Sequence, residues 1–153
     1  MTDGDRLELE RFVLMAALSP HAPIPAGARM MTHVRRWLDG WSALDPGVCW
    51  EEDDRLVGAA WARRVEPVLV TSASGQPIPE ALIAVDPGRR RKGIGQTLMD
   101  GLAAAAEEAG EPGLCLSVSE KNASAFRLYE RVGFVAIGGG QAPLITMVLD
   151  LED

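Results

Sequence analysis

The apolar run Ile83-Ala84-Val85 leads into Asp86-Pro87-Gly88, then four consecutive cations, then Gly93-Ile94-Gly95 and a long stretch with helical spacing. No other stretch constrains the fold as much. A strand that delivers into a glycine-bearing loop at a helix start creates an anion site. The first backbone N–H groups of the helix have no partner within it, the helix dipole adds partial positive charge, and glycine admits close approach. Arg89, Arg90, Arg91 and Lys92 add formal charge to that place. A phosphate-bearing ligand is the expectation.

The flanking sequence supplies the elements that such a site needs. Apolar positions at Leu7, Phe12, Leu14, Met15 and Leu18 predict a helix over 6–18, and prolines 20, 23 and 25 end it. Met30, Val34, Trp37, Leu38 and Trp41 predict a second helix. Strands are expected over 48–52 and 55–65, joined through Asp53-Asp54, and again over 80–85 after a Ser/Gly/Pro-rich loop at 71–79. A helix over 95–109 places Ile94, Leu98, Leu102, Ala105 and Ala109 on one stripe and stops at Gly110. A strand over 114–118 follows. Asn122 then caps a helix that Gly133 ends, and strands over 134–137 and 144–151 flank the triplet Gly138–Gly140. Two helices followed by β-β-β-α-β-α-β-β predict an α/β (α+β) fold with one mixed sheet, in a single domain over 1–153.

Composition narrows the ligand. The net charge of −7 argues against a nucleic-acid partner, which would require a basic face, and favours a small anion at the one basic loop. It also favours a cationic second substrate. Cys49 and Cys115 have no metal-ligand or redox spacing, so no metal is expected, and so few cysteines fit a reduced, cytoplasmic compartment. The apolar stretch 12–18 is too short to span a membrane, and acidic residues precede it, so no membrane partner is expected.

Arg90-x-x-Gly93-x-Gly95 without its neighbours is a structural turn followed by a solvated charge run. The strand before it, the helix after it and the cations within it shift the reading to phosphate binding. It lacks the Gly-Lys-Ser/Thr of a Walker loop and the third glycine of a dinucleotide fingerprint. A second segment, Asn122-Ala123-Ser124-Ala125-Phe126-Arg127-Leu128-Tyr129-Glu130-Arg131-Val132-Gly133-Phe134, lies one helix and one strand further on. The pair resembles the GNAT superfamily of acyl-CoA-dependent N-acyltransferases. The Val-Asp-Pro…Arg-x-x-Gly-x-Gly loop is similar to that family's pyrophosphate motif, and Asn-x-x-Ala…Leu-Tyr-Glu-x-x-Gly-Phe to its second signature. Together these segments cover roughly half of the chain, about a βαβ unit and its flanks.

The resemblance implies a GNAT-like domain, with a mostly antiparallel central sheet flanked by helices, and acetyl-CoA as co-substrate. Ile83, Ala84 and Val85 would pair their backbone with the pantetheine arm, as a peptide adds to a strand edge. Arg90, Arg91, Lys92, Gly93, Ile94, Gly95 and Gln96 would hold the pyrophosphate, and Asn122 would contact pantetheine or cap the helix beside it. Tyr129 would stand near the thioester sulfur and donate a proton to the departing thiolate; its alternative is a core aromatic. A small-molecule or peptide amine is the implied acceptor. Because such amines are mostly protonated at neutral pH, a base is required. Glu80, at the start of the strand leading to the coenzyme, is the leading candidate, and a solvent-facing strand-end glutamate is the alternative. Glu51, Glu52, Asp53 and Asp54 are further carboxylates, read mainly as turn charges, and Trp37, Trp41, Trp50 and Trp61 are read mostly as core, with one or two of them candidates to line the acceptor pocket. No Ser-His-Asp or Cys-His pattern supports a covalent intermediate, so direct attack in a ternary complex is expected.

One departure from the family stands out. Members of it begin with a strand, and Met1–Asp5 leaves room for only a short one, or none. A homodimer is one way to cover the edge that this leaves. Against the enzyme stands a non-catalytic acyl-CoA-binding or sensing module, in which Tyr129 and Glu80 are structural.

Overall fold

Short apolar runs, buried throughout over residues 56–62, build the sheet on which the described part of the molecule rests. The computed structural model describes residues 45–89, 93–138 and 143–152. The expected N-terminal helices, the short first strand, the histidines, Trp37, Trp41 and the trio Arg90, Arg91 and Lys92 lie outside the described residues. Strands β1 (Gly47–Glu52) and β2 (Arg55–Arg63) form an antiparallel hairpin. Its turn residues Asp53 and Asp54 both adopt positive φ, 50° and 60°. That geometry matches the strand twist, and aspartate tolerates it better than most side chains. Strand β3 (Glu80–Val85) pairs antiparallel with β2 from Arg63↔Glu80 to Gly58↔Val85.

After β3, Pro87–Arg89 form one short 3-10 turn, an element the sequence reading lacks. Helix α1 (Ile94–Glu108), strand β4 (Gly113–Ser119), helix α2 (Ala123–Val132), strand β5 (Val135–Ala136) and strand β6 (Leu144–Asp150) follow. The six strands form one sheet in the order β1-β2-β3-β4-β6-β5. All neighbours are antiparallel except β3 and β4. Those two meet at one register position, Glu80↔Cys115, where the Cys115 N–H also donates to the Pro79 carbonyl at 3.0 Å. The predicted fold class holds, and among the described residues so does the element order, with boundaries moved by one to a few residues.

Both helices cover one face of this sheet. Ile94, Leu98, Met99, Leu102 and Ala106 of α1 pack on Ala60, Ala62, Ala81, Leu114, Leu116 and Met147. Small residues set the distance: a Cβ at Gly58 would lie 2.9 Å from Leu98 Cδ1. Burial of Leu98, Met99 and Leu102 contributes about 2 kcal/mol each. The stripe advances by four to Ala106, and not to the expected Ala105 and Ala109. Ala109 is exposed because the chain has already left the helix. Gly110, at φ 75°, ends α1 with its own N–H on Glu107 O and the Glu111 N–H on Ala106 O.

Candidate active site

The site begins where β3 and β4 part. Parallel strands ordinarily continue side by side, but here the ladder stops after Glu80↔Cys115, so the strands diverge toward their C-terminal ends. Ile83, Ala84 and Val85 lie beyond that point on the β3 side of the opening. Their other neighbour is β2, which pairs with them as Ala60↔Ile83, Ala59↔Ala84 and Gly58↔Val85.

Helix α1 opens at the far end of β3. Gly93 occupies its cap position at φ 77°, a conformation that favours glycine, with no side-chain cap and no acidic residue in the first turn. Thr97 N–H is the donor to Gly93 O at 3.1 Å, so the N–H groups of Ile94, Gly95 and Gln96 precede the intrahelical ladder. An uncapped start without a carboxylate is suited to a bound anion. The two glycines do different work. A Cβ at Gly93 would meet nothing within 4 Å, whereas one at Gly95 would lie 2.9 Å from Leu128 Cδ1 and 3.8 Å from Ile83 Cδ1. Gly95 therefore lets α2 close onto α1 and β3, while its backbone N–H stays at the uncapped helix start.

Arg89 is engaged within the fold rather than offered to a ligand. Arg89 Nε pairs with Glu52 Oε2 at 3.1 Å, and Arg55 reaches Asp86 at 3.7 Å, so the β1–β2 turn is tied to the loop after β3. Arg89 is thus part of a strut and adds no uncompensated charge. Arg131 of α2 donates from Nε to Gln96 Oε1 at 3.2 Å, a link across to the first turn of α1 that no motif announced.

Helix α2 positions Tyr129 by its two ends. Asn122 caps the start, its Oδ1 accepting from the Ala125 N–H at 3.2 Å and from Ser124 Oγ at 3.3 Å. At the other end Gly133, at φ 117°, donates to Glu130 O, and Phe134 donates to Tyr129 O at 3.0 Å. This double bond pattern folds Phe134 back over Tyr129, with ring centroids 5.9 Å apart at 58°. The Tyr-x-x-x-Gly-Phe spacing is therefore a helix stop that clamps the tyrosine. Tyr129 packs against the core, partly buried, and burial pushes its phenol up to about 12.

Glu80 stands on the other side of the sheet. Ala81 points into the helix-covered core, so its neighbour Glu80 points away from it. By the same alternation, Arg63 opposite Glu80 on β2 and Cys115 opposite it on β4 share that second face. Tyr129 and Glu80 hence lie on opposite faces of the sheet. Trp61 is buried on the second face, whereas Trp50 packs against the helix-side core. Among the described residues no group of three or more His, Cys, Asp or Glu side chains is placed to hold a metal ion. No described helix is long and apolar enough to cross a membrane.

Comparison with known proteins places this arrangement. The acetyltransferase (GNAT) family pattern matches residues 14–134. The mycothiol acetyltransferase of Brachybacterium faecium is 34% identical over 104 residues, 68% of this chain and 30% of that protein. The ribosomal protein bS18-alanine N-acetyltransferase of Escherichia coli strain K12 is 44% identical over 52 residues, 34% of this chain and 35% of that protein. The matched stretches thus span about a third of these relatives' own lengths. Among solved structures, a putative acetyltransferase from Salmonella typhimurium, determined with its cofactor acetyl-CoA, aligns with a TM-score of 0.73 at 21% identity, covering 100% of this chain and 92% of that one. The Escherichia coli ribosomal-protein-S18-alanine N-acetyltransferase structure aligns at 0.68 and 22%, covering 100% and 92%. By sequence pattern and by fold, the chain belongs to the acetyltransferase (GNAT) family.

Proposed function

We propose that the protein transfers an acetyl group from acetyl-CoA to a primary amine by direct attack within a ternary complex. The observation that carries this reading is the β3–β4 opening, bordered by the uncapped start of α1, with Tyr129 on one face and Glu80 on the other. The residues fit an acyl-CoA. The backbone of Ile83, Ala84 and Val85 lines the diverging edge for an extended arm, and the N–H groups of Ile94, Gly95 and Gln96 suit a pyrophosphate. Arg90, Arg91 and Lys92 supply charge beside them in this reading. The acetyl-CoA in the Salmonella typhimurium structure supports the same ligand class.

Glu80 accepts the proton that an alkylammonium must lose before its nitrogen can attack. The C–N bond then forms as the C–S bond breaks, and the second proton that the nitrogen sheds on becoming an amide passes to solvent. Tyr129 remains protonated at neutral pH and donates a hydrogen bond to the departing thiolate. A phenol near 12 is a weaker acid than a thiol near about 8.5, so Tyr129 stabilises that charge chiefly by hydrogen bonding, and the proton itself comes from solvent. Asn122 contributes by fixing the start of the helix that carries Tyr129.

The test is thiol release from acetyl-CoA against a panel of amines that includes a peptide with an N-terminal alanine. Turnover that falls in Glu80→Gln and Tyr129→Phe supports the reading. Tight coenzyme binding with no turnover on any amine would favour the binding module instead.

A further inference from the structure

The carboxylate of Glu80 has a buried cation as its cross-strand neighbour. Arg63 closes β2 directly opposite Glu80, and its side chain is only 8% exposed. Directly opposed residues of an antiparallel pair project to the same face, with Cβ atoms about 4.5–5.5 Å apart. A guanidinium keeps its charge at every pH at which a protein folds, and it is buried at high cost unless carboxylates balance it. Asp45 supplies one, its Oδ2 3.3 Å from Arg63 Nε. The same end of β2 is fixed by the Ala62 N–H on Pro46 O at 2.9 Å, which keeps Asp45 beside the strand. From the β4 side Glu80 faces Cys115, whose thiol is within 3.6 Å of the Ile78 and Pro79 carbonyls. The charged group directly across the strands from Glu80 is therefore Arg63, with Asp45 paired behind it.

We propose that Arg63 is a positioning residue, anchored by Asp45, that holds Glu80 as a carboxylate at the β3–β4 opening and sets the pH below which it can no longer accept a proton from the amine. This rests on Glu80 being the proton acceptor. A nearby cation favours the charged form of a carboxyl by about one to three pH units. Asp45 opposes part of that effect, since its negative charge both occupies Arg63 and repels Glu80. Changes at the two positions must then move Glu80 in opposite directions, which a merely structural role does not require.

Carboxyl-carbon NMR on the full-length chain reads this without any acceptor, with the Glu80 resonance assigned by its loss in Glu80→Gln. In Arg63→Met the midpoint of Glu80 is expected to rise by about one pH unit or more. Arg63→Lys, which keeps the charge, should stay near the parent. Asp45→Asn should lower the midpoint, and because Asp45 is partly exposed this variant serves if Arg63→Met does not fold. A Glu80 midpoint unmoved in Asp45→Asn and in a folded Arg63→Met overturns the proposal. The amine assay separates the two failures. Full activity in Glu80→Gln overturns the reading of Glu80 as the base. Lost activity there, with an unmoved titration in the other variants, overturns the role of Arg63 alone.

Discussion

Tyr129 is the single tyrosine of the chain, so its ionisation can be followed alone through tyrosinate absorbance. Burial should place that midpoint near 12, above the ordinary 10. The folded state then holds the proton where the unfolded state has lost it. Stability contributed by this group is therefore full below pH about 10 and declines between about 10 and 12, by on the order of 2 kcal/mol. Denaturant midpoints across that window check the sign; a rise with pH would contradict it. In Tyr129→Phe the ring and its tilted contact with Phe134 remain, so stability should change by less than about 0.5 kcal/mol. The turnover number should fall roughly a hundredfold, the low end for a group acting on a proton or developing charge. Pre-steady-state thiol release would show whether that loss lies in the chemical step.

The ends of the helices decide whether these side chains meet. Gly133→Ala forces a side chain into a left-handed backbone and puts its Cβ 3.2 Å from Leu149 Cδ1, so a loss of about 1–2 kcal/mol is expected in urea unfolding. Gly93→Ala meets no neighbour but suffers the same backbone penalty, and it disturbs the N–H groups proposed for pyrophosphate. Coenzyme affinity should fall there more than stability does, as calorimetric titration with acetyl-CoA would show. Gly95→Ala pushes on Leu128, the residue beside Tyr129, and should lower turnover while leaving the backbone unstrained. These elements were largely legible in the sequence, because the caps Asn122, Gly110 and Gly133 mark helix ends and the apolar spacing marks strands. The partition of labour between Gly93 and Gly95 was not. Both are glycines near a helix start, and only the approach of α2 distinguishes them. Arg63 was equally silent, a charge at the end of an apolar strand whose partners Asp45 and Glu80 come from remote positions. Likewise, nothing local in Arg89 marks it as the partner of Glu52, since the sequence shows a run of four cations and not which one a hairpin turn will claim.

Across the molecule, β1-β2-β3 and β4-β6-β5 are two half-sheets joined in the ladder by one position. Helix α1 spans the join, touching β1, β2, β3 and β4, and packs its apolar face across it. A gap of this kind gives up hydrogen bonds that continued pairing would make. An extended ligand arm that added to the β3 edge would restore some of them and couple the halves. Acetyl-CoA at a hundred times its Kd should then raise global stability by about 2.7 kcal/mol. The distribution of that effect is the sharper test, because global stabilisation alone says nothing of where the ligand binds. Hydrogen exchange with and without acetyl-CoA should slow most at the amides of Ala81 to Val85 and of Ile94 to Thr97. The β1 strand, two strands away from the opening, should change only as far as global unfolding governs its exchange. Equal slowing of β1 and β3, or protection centred on β5 and β6, would place the ligand elsewhere and remove the basis for reading the opening as the coenzyme's path.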